Sequence, residues 1–303
     1  MQRYPVFLAS GLSRRAALGR VAAVGAALGL GSRLGRATAQ EATPGSSATP
    51  TAEGQTAHIN GAELYYEVHG PAAGQPVLLL HGGLFNTEAW VNLSPVLAAA
   101  GYRVIAMDSR GHGHSTWGDA PITYEQMADD ALGLLDYLKI AKTDLVGWSD
   151  GGIIGLELAI HHSERLDRVV AYGANFTPDG VHDLVPSDQL PPFERLVADY
   201  QRLSPEPERF DDLAGQLEEL YKVAPNFSET DLKSITVPVL ILDGAEEEFI
   251  DADQPVRMAA LIPGAELVIM PGTGHFAPFA QPAKFNQIVL DFLAGKTIAT
   301  PTA

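Results

Sequence analysis

The sequence predicts an α/β fold: a mostly parallel sheet of eight strands flanked by helices, with a small helical cap inserted after the sixth strand. Three features of the 303-residue chain predict it. From Thr56 onward, short β-branched or leucine-rich runs alternate with amphipathic stretches, as in a parallel sheet covered on both faces. The first two runs alternate apolar with polar residues and lie close together, the pattern of an antiparallel hairpin at a sheet edge. The alternation then breaks once, for about sixty residues, too long for an ordinary connection of about 2 to 6 residues.

Taken in order, residues 56–59 and 64–68 form the hairpin, and short apolar runs at 77–80, 103–107, 144–148, 168–172, 237–242 and 266–270 are buried strands. Helices fit between them at 87–100, 123–138, 150–162, 254–261 and 282–293. The break holds two further helices, 193–203 and 210–223, which assigns a cap to about residues 176–235 of a domain spanning 56–295, followed by a short tail, 296–303.

The chain has ample apolar material for one core, 46% of its residues. Its 37 acidic against 20 basic side chains, a net charge of −17, argue against nucleic acid or an anionic membrane as a partner. The absence of cysteine excludes disulfides and thiolate chemistry.

Residues 1–39 have the layout of a secretory signal, with six arginines, no acid, and an apolar run at 21–30. That run is too short to anchor the chain, since a spanning helix needs about 20 apolar residues. Arg14-Arg15 followed by Ala16-Ala17-Leu18 resembles the twin-arginine export motif, with Ala17 where the motif prefers Phe. Ala37-Thr38-Ala39 has the small-x-small form of a cleavage site. The expected partner is the twin-arginine export machinery and the expected location periplasmic or secreted. Cleavage before Gln40 takes the net charge from −17 to −23. Residues 40–55, rich in Pro, Ser, Thr and Ala, read as a linker.

Gly147-Trp148-Ser149-Asp150-Gly151 matches G-x-S-x-G. Chance produces that pattern in about one chain in ten of this length. Its setting, directly after an apolar strand and directly before an amphipathic helix, is what gives it weight. A sharp strand-to-helix turn needs glycine two residues either side of the serine, and the helix N-terminus aims free amides at developing negative charge. A serine hydroxyl needs a base; His275, after the last strand, is placed to supply it. The base needs an acceptor, which the loop Asp243-Gly244-Ala245-Glu246-Glu247-Glu248 offers four times over. The usual spacing of three residues after the glycine selects Glu247, where Asp is commoner; Asp243, Glu246 and Glu248 remain open. Amides of Asp150 and of Gly83 or Leu84, in His81-Gly82-Gly83-Leu84, are the expected oxyanion donors. The stretch Asp108 to Ser115 reads as a loop that supports the site.

From about residue 56 to 295 these motifs, in this order, resemble the α/β-hydrolase superfamily. Leu145 to Ile153 and Tyr172-Gly173-Ala174-Asn175 are similar to the biphenyl hydrolase-like group that includes valacyclovir hydrolase. The first resemblance implies a serine hydrolase acting on esters of small molecules through an acyl-enzyme, with no cofactor or metal. The second implies that Asp150 contacts a substrate amine; Trp148, on the other side of Ser149, is the second candidate substrate contact. A lactonase, a cofactor-free perhydrolase, or a binding protein without turnover are the alternatives on the same residues.

Overall fold

The computed structural model describes residues 54–181, 193–296 and 298. The expected signal segment and the expected linker up to residue 53 lie outside the described residues, as does 182–192 in the cap.

Eight strands form one sheet in the order β1-β2-β4-β3-β5-β6-β7-β8: β1 Gln55–Ile59, β2 Ala62–His69, β3 Pro76–Leu80, β4 Arg103–Met107, β5 Thr143–Trp148, β6 Leu166–Tyr172, β7 Val239–Gly244 and β8 Glu266–Met270. β2 runs antiparallel to both β1 and β4, and every other pairing is parallel. Residue 55 belongs to the sheet and not to the expected linker, because Gln55 pairs with Tyr66. β7 starts at Val239 and not at 237, since Pro238 has no amide to give a ladder and only its carbonyl is used, by the Val169 N–H at 3.0 Å.

Alternate side chains of the parallel strands face opposite sides. Val77, Leu79, Val104, Val146, Val170, Leu240 and Val268 bury one face with α1 Ser94–Ala99 and α9 Pro282–Leu293, whose Phe285, Val289 and Phe292 join that core. On the other face lie α2 Tyr124–Tyr137 and α3 Asp150–His161, with α3 packed on β5 and β6. α3 is buried over ten of its twelve residues, which is why its amphipathic pattern is weak.

The expected helix at 87–100 is split into a 3-10 turn, Thr87–Trp90, and α1. Pro95 lies in the first turn of α1; in an unbroken helix its ring would meet the carbonyl of Val91. The cap holds α4 Phe193–Leu203, α5 Phe210–Tyr221 and a short α6, Glu229–Ser234. α6 was too short for periodicity to reveal, yet its capping box, Ser228 with Asp231, is legible as S-x-x-D. α7 Asp253–Leu261 and a one-turn α8, Ala277–Ala280, complete the chain's helices among the described residues.

The chain leaves β3 for β4 on one side, then crosses back to β5 on the other. The carboxyl ends of β3 and β5 thus flank the crevice where open α/β sheets place their ligands.

Candidate active site

Ser149 sits between β5 and α3 with φ 55° and ψ −120°, a conformation that a side chain tolerates only when its surroundings enforce it. Its amide donates to the Tyr172 carbonyl at 2.7 Å, tying the turn to β6. A Cβ on Gly147 would lie 2.1 Å from the Gly151 carbonyl oxygen, and one on Gly151 2.0 Å from that of Leu80. Glycine is thus required at both positions by backbone contact. The serine itself is half-buried, at the carboxyl edge of the sheet.

His275 lies between β8 and α8, 5% exposed, with Nδ1 2.8 Å from Glu247 Oε1. Glu247 Oε1 also accepts from the Phe249 amide at 2.9 Å. Burial alone would raise the Glu247 carboxyl, but His275 and the hydrogen bonds prevail and hold it at about 2. A Glu247 carboxylate fixes the tautomer in which Nδ1 carries the proton, leaving Nε2 as the basic nitrogen.

The other three acids of this loop have different places. Glu248 is buried and accepts from the backbone amide of His275 at 2.7 Å, so it shapes the loop and not the ring. Glu246 is exposed. Asp243, next to the end of β7, accepts from the Gly244 amide at 2.8 Å, and burial and the charge of Glu247 push its carboxyl well above the ordinary carboxylate range.

The loop after β3 carries Gly83 and Leu84, the latter at φ 64°. A Cβ on Gly82 would come within 3.1 Å of Ser149 Cβ, so this backbone runs beside the serine. His81 braces the loop: its Nδ1 pairs with the Gly82 carbonyl at 2.8 Å and its Nε2 accepts the Ser109 amide at 3.0 Å. Burial lowers the His81 pKa, which keeps the ring neutral and suits that pair of roles. Asp108 accepts from the Thr87 amide at 2.6 Å and the His114 amide at 2.8 Å, while buried Arg110 forms a two-pronged pair with Asp130 at 2.6 and 2.7 Å. The stretch from Asp108 to Ser115 therefore braces the loop after β3.

Trp148 departs from the expected substrate contact. It is 1% exposed, and its indole N–H donates to the His275 carbonyl at 2.9 Å. Its aromatic neighbours, Phe85 and Phe276, leave it no face toward a ligand. Asp150 is 5% exposed, and both its oxygens accept phenol donors: Oδ1 from Tyr124 at 3.0 Å and Oδ2 from Tyr221 at 2.9 Å. Neither tyrosine stood out in the sequence, because a tyrosine within α2 or at the end of α5 reads as part of an amphipathic face.

A model of the Alpha/beta hydrolase family matches residues 77–288. Over 272 residues the chain is 30% identical to the protein named "Putative carbamate hydrolase RutD" of Caulobacter sp. (strain K31), covering 80% of this chain and 99% of that one. It is 28% identical to 2-hydroxymuconate semialdehyde hydrolase of Pseudomonas sp. (strain CF600), covering 78% and 93%. Among solved structures, the enol-lactonase from Burkholderia xenovorans LB400 superposes with a TM-score of 0.65 at 26% identity, covering 79% of this chain and 100% of that one.

Proposed function

Because the chain belongs to the Alpha/beta hydrolase family, we propose that it is a serine hydrolase that cleaves carboxylic esters of small molecules through an acyl-enzyme on Ser149. One observation carries this reading: the strained Ser149 turn after β5 and the His275–Glu247 pair at 2.8 Å after β8 and β7 lie at carboxyl ends of one sheet and are joined by the Trp148 N–H on the His275 carbonyl at 2.9 Å.

In the proposed reaction His275 Nε2 takes the hydroxyl proton as Ser149 Oγ bonds to the ester carbon. Amides of Asp150 and of Gly83 or Leu84 receive the oxyanion, at the N-terminus of α3 where the helix dipole favours negative charge. The tetrahedral species collapses, the alcohol leaves with the proton from His275, and water repeats the sequence to release the acid. Glu247 stabilises the imidazolium throughout.

A lactone is an internal ester and meets the same groups; the likeness to an enol-lactonase favours it as the second reading. A panel of p-nitrophenyl esters and lactones separates the two. Fluorophosphonate labelling of Ser149, read by mass spectrometry, and loss of about 10⁴-fold or more of turnover in Ser149→Ala are expected. Turnover that survives Ser149→Ala would overturn the nucleophile.

The reading extends to location: residues 1–39 direct export of the folded enzyme through the twin-arginine machinery to the periplasm or medium. Their fusion to a reporter protein is expected to be exported, and Arg14→Lys with Arg15→Lys to retain it in the cytoplasm.

A further inference from the structure

The carboxyl group beside the nucleophile is joined to the cap in a way that bears on what the enzyme accepts. Asp150 is buried, and among the described residues no lysine or arginine pairs with it. Its two oxygens take hydroxyl donors from two different elements. Tyr124, 2% exposed, is the first residue of α2. Tyr221 is the last residue of α5 and comes down from the cap.

The place of the Tyr221 hydroxyl is defined by a third element. A Cβ on Gly83 would lie 2.1 Å from the Tyr221 oxygen and 2.7 Å from Asp150 Oδ2. The phenol tip is therefore wedged between the oxyanion loop and the nucleophile turn, against the glycine whose amide is proposed to face the scissile carbonyl. Any group on the carbon next to that carbonyl must pass this point to reach the Asp150 carboxylate.

We infer that Tyr221 is the residue that sets acyl specificity: its hydroxyl covers the Asp150 carboxylate, so Ser149 accepts acyl groups that carry no positive charge next to the carbonyl. The inference rests on Ser149 being the nucleophile. It also runs against the amine-binding role that the resemblance of the nucleophile segment implies for Asp150. Burial raises the Asp150 carboxyl to about 6 despite the two phenol hydrogen bonds, which further weakens it as a receptor for a cation. The carboxylate keeps free lone pairs, but the space through which an ammonium would approach is filled by the phenol.

The test uses two esters that differ by one α-amino group, benzyl butanoate and benzyl 2-aminobutanoate, and reads the ratio of their kcat/KM values in the full chain. The wild type is expected to favour the butanoate. Tyr221→Phe opens Oδ2 and is expected to shift the ratio at least tenfold toward the amine, by raising kcat/KM for that ester. Adding Asp150→Asn to Tyr221→Phe is expected to cancel the shift, because the charge that draws the amine is gone. Tyr124→Phe, which frees the oxygen turned away from the cap, is expected to move the ratio less than threefold. A merely structural Tyr221 would change both esters alike.

A wild type that prefers the amine ester, or a ratio unmoved by Tyr221→Phe, would overturn the inference. Should Tyr221→Phe fail to fold, Asp150→Asn alone decides: the ratio is expected to stay within threefold, and a selective loss of the amine ester would overturn it. Fluorophosphonate labelling is run alongside on every variant. Absence of labelling in the folded wild type refutes the serine reading, whereas labelled protein with an unmoved ratio refutes only the role of Tyr221.

Discussion

The sheet and the cap of this protein are built from different forces. Strands β3, β5, β6 and β7 are joined in that order by backbone ladders, and β3, β5 and β7 are buried along nearly their whole length. The cap helices α4 and α5 bury one stripe each and meet the rest of the chain through individual side chains. Trp117 donates to Tyr200 at 3.2 Å and lies under the Arg209 guanidinium, 3.8 Å from its ring centre; Arg202 pairs with Glu88 at 2.7 Å; Tyr221 reaches Asp150. Reaction geometry is thus fixed by backbone, which sequence change alters little, while the cover over the site is fixed by side chains that single substitutions replace. One enzyme can keep its chemistry and change its substrate.

The comparison can be broken first at the backbone. Gly151→Ala places a methyl 2.0 Å from the Leu80 carbonyl, where neither strand nor helix can yield, and is expected to cost more than about 3 kcal/mol, seen as loss of soluble protein or a large fall in Tm. Glu247→Gln keeps the fold but removes the charge opposite His275; a fall in kcat of about 10²- to 10⁴-fold with KM little changed is expected. Glu247→Asp, one methylene shorter, should recover only part of it. Because His275 and its hydrogen bonds hold Glu247 at about 2, its own protonation is not expected to set the acid limb of a kcat–pH profile.

Trp117→Ala attacks the cap instead. Trp117 is 5% exposed, and its loss removes an indole donor and a cation–π partner, for about 3 kcal/mol of local stability. The expected result is faster proteolysis within the cap and a raised KM, with fluorophosphonate labelling of Ser149 retained. If labelling is lost with the cap, the separation drawn above fails.

A smaller effect tests the sheet by pH. Asp144 in β5 is buried, 3.8 Å from Arg168, and burial raises its carboxyl to about 6 from an ordinary 3.8. The folded state therefore holds this proton more tightly than the unfolded one, and the stability it confers is complete below about pH 4 and lost as pH rises through 6. Asp144→Asn is expected to raise Tm at pH 8 by a few degrees, on the order of 1 kcal/mol, and to leave it unchanged at pH 4. Arg202→Ala, which breaks the exposed pair with Glu88, is expected to shift Tm by less than about 1 kcal/mol equivalent.

The same division decides what could be read from the sequence. Strands 77–80 and 103–107 were legible because burial on both faces leaves continuous apolar runs, 266–270 from a Leu-Val-Ile-Met run although this edge strand is only partly buried, and Ser149 because glycine is the only residue that fits at 147 and 151. The ends of α4 and the existence of α5 were legible from helical periodicity. Where those helices rest was not, since the contacts of Tyr221 with Asp150 or Trp117 with Tyr200 span 71 and 83 residues and leave no local pattern. The burial of Trp148 was missed for the same reason: its partner, the His275 carbonyl, is 127 residues away.

That last contact has a consequence for how the site behaves in motion. The residue preceding the proposed nucleophile grips the main chain of the proposed base, with a hydrogen bond made inside an aromatic cluster that water does not reach. Serine and histidine come from segments far apart in the chain, yet the residue beside the serine is hydrogen-bonded to the main chain of the histidine, which couples the two segments. When the turn is displaced, the imidazole is carried with it. The indole thus adds one side-chain tie to the backbone geometry that aligns the proposed attacker and base, and heating or cap opening should loosen access to the pair well before it disturbs the pair itself.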